Sequence, residues 1–152
     1  MLPNPSAEIL LAAANPLNAS ELIFPTLEVF HIAGFAILVG TIAIVDFRLL
    51  GLGMRQKASE VARDLGPWTL IGLTLVLFSG PLMFSSDPDM YYLNRSFQVK
   101  MALLLAAITF HYTVHRRVAF SEASGFGSRA VACISLALWA GIVFSGIFIA
   151  FI

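Results

Sequence analysis

Residues 27–47 read LEVFHIAGFAILVGTIAIVDF. Apart from Glu28, His31, Thr41 and Asp46, every residue in this run is apolar or small. About 20 mostly apolar residues carry a helix across a bilayer, so this stretch predicts a membrane span from about Pro25 to Leu50. Three further runs have the same character. They predict spans at Pro67 to Phe84, Phe97 to His115 and Arg129 to Ile152. The fold expected is an all-α, polytopic four-helix transmembrane bundle forming a single domain.

Composition agrees with this reading. Of the 152 residues, 59% are hydrophobic and 12% charged, with a mean hydropathy of +0.87; a soluble domain is nearer half apolar and a quarter charged. The formal net charge is zero, so nothing points to nucleic acid, and the expected surroundings are a lipid bilayer. The one cysteine, Cys133, excludes an internal disulfide and a cysteine metal cluster. Residues 1–20 lack Lys and Arg before a short apolar stretch, unlike a signal peptide. They read as an interfacial segment interrupted at Pro16, with Ser20 and Glu21 capping the entry and Pro25 opening the first long helix.

Basic residues give the orientation. With four spans, Arg48, Arg55, Lys57, Arg63, Arg116, Arg117 and Arg129 fall on one face and only Arg95 and Lys100 on the other. The positive-inside rule then places both basic loops in the cytoplasm and both termini outside. Trp68, Tyr91 and Tyr92 suit the headgroup level. Gly34 and Gly40 in the first span, Ala102, Ala106 and Ala107 in the third, and Ala137, Gly141 and Gly146 in the fourth permit close helix contact. Gly80-Pro81 implies a kink or early stop in the second span.

The polar residues inside the spans carry the functional reading. An imidazole in hydrocarbon is costly and usually faces a bundle interior, bound to a cofactor, to a proton or to a neighbouring helix. His31 lies in the outer part of the first span, with Gly34 beside it on the same face. His111 lies deep in the third span. His115 follows at i+4, ahead of Arg116 and Arg117, and is expected among headgroups. Asp46 is expected as a partner of His111, or of Arg48 or another basic residue at the interface. Two histidines in a bundle with little other polar chemistry suit haem b, with His31 and His111 as iron ligands and Lys100 or Arg48 pairing with a propionate. Zinc and copper fit less well, because neither a third close ligand nor a methionine motif is evident.

Part of the sequence resembles a known family. His31, the basic residues ending the first span, Phe97-x-x-Lys100-Met101-x-Leu103-Leu104-Leu105, and His111 eleven residues past the lysine resemble HemJ, small four-helix bacterial protoporphyrinogen oxidases that carry haem b. A closer resemblance, over most of the chain, is to uncharacterised bacterial four-span proteins with an H-x-x-G opening and a V-D-F-R-L-L-G-L-like end to the first helix. These resemblances imply a bacterial inner membrane, a haem b cofactor, and porphyrin oxidation or quinone-linked electron transfer, with a porphyrin or quinone as small-molecule partner. The alternative is an accessory subunit without enzymatic activity, packed as a homodimer or in a larger membrane complex.

Depth constrains the haem arrangement. The first and third spans start on the same face, so His31 lies about 9 Å and His111 about 21 Å from it by helical rise. Three arrangements remain: a haem on His31 with Met83, Met101 or Lys100 opposite, a haem on His111, or two haems. A third, weaker reading is a proton or copper pathway through His31, Lys100 and His111.

Overall fold

The computed structural model describes residues 21–53, 55–121, 125–149 and 151. The expected interfacial segment at 1–20 and the cap at Ser20 lie outside the described residues. Four helices are long and apolar enough to cross a membrane: α1 (Ile23–Leu49), α2 (Ala58–Ser86), α4 (Arg95–Phe120) and α5 (Phe126–Phe148). A short helix, α3 (Pro88–Leu93), joins α2 to α4. Among the described residues there is no strand. The chain is an all-α four-helix membrane bundle.

Local chemistry explains the helix ends. After Leu50 the chain turns at Gly51, whose φ of 86° suits a residue without Cβ. Gly51 N–H bonds to Arg48 O and Leu52 N–H to Phe47 O, the two bonds of a Schellman stop. At the start of α2, Glu60 accepts from Lys57 N–H at 3.2 Å. Asp87 caps α3 through Met90 N–H at 3.1 Å. Asn94 accepts from Phe97 N–H at 3.1 Å to cap α4 and donates to Ile149 O at 3.0 Å. One side chain thus serves the start of α4 and the end of α5.

Two boundaries differ from expectation. Helix α2 begins nine residues before Pro67, because Ala58–Gly66 is a polar, amphipathic start that a hydropathy reading does not see. It also continues past Pro81 to Ser86. Trp68 therefore lies well inside α2 rather than at its start, on an exposed face. Helix α4 runs on past His115 to Phe120, which matters for the site below.

The helices pack as two pairs, α1 with α2 and α4 with α5, joined where α1 meets α5. The α1–α2 pair is closest at two glycines. A Cβ on Gly72 would lie 2.7 Å from Gly34 O and from Leu38 N, and one on Gly34 would lie 2.6 Å from Leu75 Cβ. The backbones are in direct contact there. Gly40, expected to serve the same purpose, has nothing within 4 Å of where its Cβ would be.

Two apolar clusters follow. The central one holds Leu38, Ile42, Leu73, Val76, Leu104, Ala107, Trp139 and Ile142. The second, nearer the basic loops, holds Val45, Leu49, Val61, Ala119 and Ala132. Opposite the basic loops, Phe84, Tyr91 and Phe97 close the bundle end, with Phe84 and Phe97 stacked at 5.6 Å.

Candidate functional site

Polar side chains gather at two levels of the bundle, on either side of the central apolar cluster.

The first level is about a third of the way into α1 from the non-basic end. His31 is half-buried, and its Nδ1 lies 2.8 Å from Ser79 Oγ on α2. Ser79 Oγ also lies 2.6 Å from Leu75 O of its own helix. A carbonyl can only accept, so the single Ser79 proton goes to Leu75. Ser79 Oγ must then accept from His31 Nδ1–H, which leaves Nε2 with an unshared lone pair. The ring also lies against Gly80, where a Cβ would sit 3.5 Å from His31 Cε1. Sequence reasoning missed Ser79; a serine one turn before Met83 in an apolar run was the available signal.

Lys100 faces the same level. Its charge is near enough to act on His31. The ammonium lies 6.0 Å from the Phe35 ring centroid, and its stem covers Gly146 of α5. Among the described residues it makes no ion pair. The nearby end of the bundle is capped by Tyr91, whose phenol is pushed above its ordinary pKa by burial and then by the Glu28 and Asp87 carboxylates. It stays protonated at neutral pH.

The second level lies toward the basic loops. Asp46, fully buried on α1, meets His115, 2% exposed on α4, with 2.7 Å between Oδ1 and Nε2. The Ser135 hydroxyl of α5 lies beside the carboxylate. His115 therefore does not sit among headgroups. Five more helical residues follow it, and these carry Arg116 and Arg117 outward while the imidazole turns in. Of the partners expected for Asp46, neither His111 nor Arg48 holds it; His115 does, inside the bundle and not at the interface. His111 instead stacks on His115, ring centroids 5.0 Å apart and planes at 25°. Tyr112 meets His111 edge-on at 5.0 Å.

Residues His111–His115 form a single π-helical turn inside α4, closed by Arg116 N–H to His111 O. Such turns are rare and concentrate at functional sites. Among the described residues, three enclosed polar atoms at this level have no hydrogen-bond partner: Asp46 Oδ2, His111 Nδ1 and His115 Nδ1. His111 also lines a small recess with Leu38, Ile42, Thr69, Leu73, Ile108, Tyr112 and Trp139. The recess has a cavity volume of about 10 Å³, at most room for one water molecule.

The two levels do not meet. Fifteen residues of one continuous helix separate His31 from Asp46, about 22 Å by helical rise. Two ligands of one iron span about 4 Å between nitrogens, so His31 and His111 do not share a metal. Arg48 is not at the His31 level either; its Nε donates to Gln56 O in the first basic loop. Among the described residues no group of three His, Cys, Asp or Glu side chains is arranged for a metal ion.

A family model matches residues 22–152, from the residue before α1 onward. The chain belongs to the DUF6644 family. That family is described as one of unknown function. The chain matches no curated protein and no solved structure. The matched region takes in both polar levels, His31 with Lys100 and Asp46 with His115.

Proposed function

We propose that this family member is a membrane redox protein that holds haem b at the His31 level. The observation that carries the reading is the Ser79 bond. A metal-ligating histidine characteristically donates its other ring N–H to a fixed acceptor, which sets both tautomer and ring orientation. His31 has that arrangement, with Nε2 left bare.

The other groups at this level suit the same ligand. Among the described residues Lys100 has no carboxylate partner, and it is able to pair with a propionate. Met83 lies one turn past Ser79 on the same side of α2, where a thioether is a second candidate iron ligand. When bound, the haem supplies one-electron chemistry; the chain positions it and excludes water. The basic loops face the cytoplasm in this reading, because seven of the nine Lys and Arg residues lie there. Resemblance to HemJ favours a porphyrin as substrate, and a quinone is the second candidate.

The test is a reduced-minus-oxidised spectrum of the full-length protein, produced with haem available and purified in mild detergent. Expected are b-type Soret and α bands that His31→Ala abolishes and His111→Ala leaves in place. Folded protein without these bands would refute the reading and favour an accessory subunit.

A further inference from the structure

We propose that Asp46 and His115 are a proton-binding site in the basic half of the membrane, and that His111 is the residue through which it exchanges its proton. This is independent of haem at the His31 level and stands on different side chains.

The geometry supplies each part. A carboxylate oxygen and a ring nitrogen 2.7 Å apart, both buried, require a proton between them, because two lone pairs at that distance repel. The pair is closed off on both sides. The central apolar cluster separates it from His31 and Lys100, and the second cluster covers it toward the loops. Satisfying such a pair takes further hydrogen bonds, yet Asp46 Oδ2 and His115 Nδ1 have none. Intramembrane ionisable groups of this kind are functional by default.

His111 is the one member that is not fully buried, and it borders the recess beside α2. That recess lies where α2 and the first part of α4 make little contact with each other. The unpartnered Nδ1 atoms of two stacked rings are the natural donor and acceptor after a ring rotation. Inward transfer then runs in three moves. His111 takes a proton at Nε2 and releases one from Nδ1. His115 accepts it at Nδ1 and gives its Nε2 proton to Asp46. Uptake at His111 brings one proton from water and adds one positive charge to the three groups, and the two internal transfers then conserve that charge.

Few other charges reach the cluster. On α4, Arg116 acts on His111, while its guanidinium spreads over the Tyr112 and Phe120 rings. Helix α1 contributes Asp46 itself. Helix α5 contributes the Ser135 hydroxyl, with Arg129 exposed a turn and a half away. On α2, Glu60, Arg63 and Asp64 are exposed. Stacking allows one imidazolium at a time, since two would repel at 5.0 Å.

The test uses the full chain with ¹⁵N-labelled histidine in lipid nanodiscs. With three histidines in the sequence, the ring signals are assigned by single substitution. The measurement is exchange of the His115 Nε2 proton with water. Expected is a slowing of roughly tenfold or more in His111→Phe and in His111→Gln, as one route to the buried proton is lost. In Asp46→Asn the His115 ring signal should move while that of His31 stays. Exchange at the wild-type rate in both His111 variants, with the His31 signal unchanged as evidence of folding, would overturn the proposal. So would a His115 signal indifferent to Asp46→Asn.

Discussion

Replacing Gly72 with alanine tests the closest contact in the bundle. The added methyl would sit 2.7 Å from Gly34 O and Leu38 N and 3.0 Å from Leu38 Cα. All three are backbone atoms, so no rotamer change relieves them. Ordinary contact begins near 3.4 Å, and α1 and α2 must part locally by about 0.7 Å. A gap of that size forfeits a quarter to a half of the dispersion energy of the atoms it separates. Overpacking of this kind costs roughly 1–3 kcal/mol, opposed by a helix-propensity gain of about 1 kcal/mol for Gly to Ala. Since the obstruction is backbone on both sides, the upper part of the range applies, with a net loss of about 1–2 kcal/mol. At roughly 2–4 °C per kcal/mol for a chain of this size, the midpoint should fall by about 2–8 °C. Gly40→Ala is the control: nothing lies within 4 Å of its new methyl, so it should be neutral or slightly stabilising. Thermal unfolding in one detergent, followed by circular dichroism, compares them. A Gly72→Ala protein as stable as the Gly40→Ala protein would refute the packing argument.

Asp46→Ala leaves His115 buried without its acceptor and should cost roughly 3–5 kcal/mol; a double-mutant cycle with His115→Ala should then show strong coupling by the same unfolding assay. Ser79→Ala frees the His31 ring to turn, and should reduce haem retained through purification roughly tenfold or more, as loss of an outer-shell partner does, measured as the Soret-to-protein absorbance ratio. Asn94→Ala removes both the α4 cap and the tie to Ile149 O and should lower stability by about 1–2 kcal/mol. In a Cys133→Ser background, Gln56→Cys should react with a membrane-impermeant thiol reagent only after cell lysis, and Tyr92→Cys before it; the reverse pattern would overturn the orientation.

The four spans were legible because bilayer thickness imposes a length and composition that a window of sequence carries whole. The start of α2 was not, because Ala58–Gly66 earns its helix from the Lys57–Glu60 cap and from packing of Ser59 and Val61, not from hydropathy. His31 stood out as an imidazole within an apolar run, whereas its partner Ser79 is 48 positions away and unremarkable in sequence. For Arg48, the position at the cytoplasmic end of α1 was legible, but not that the loop would fold back to offer it the Gln56 carbonyl. His115 was assigned to the interface on the strength of two following arginines. The continuation of α4 to Phe120 and the rotation that faces His115 toward Asp46 are three-dimensional facts that neighbouring letters do not encode.

The π turn at His111–His115 has a genetic counterpart. A turn closed from residue i to i+5 carries one residue more than the α-helical turn it replaces. Deleting a single codon there would let α4 become regular throughout, with no buried residue lost if the exposed Val114 were the one removed. Because the Arg116 N–H to His111 O bond would then be an ordinary α-helical one, everything beyond the deletion would keep its face, His115 toward Asp46 and Ala119 in the cluster it shares with Val45 and Ala132. A deletion in a regular stretch of α4 would instead swing all that follows by about 100° around the helix axis. In-frame single deletions, scanned along α4, should therefore be tolerated best at the exposed positions of this turn.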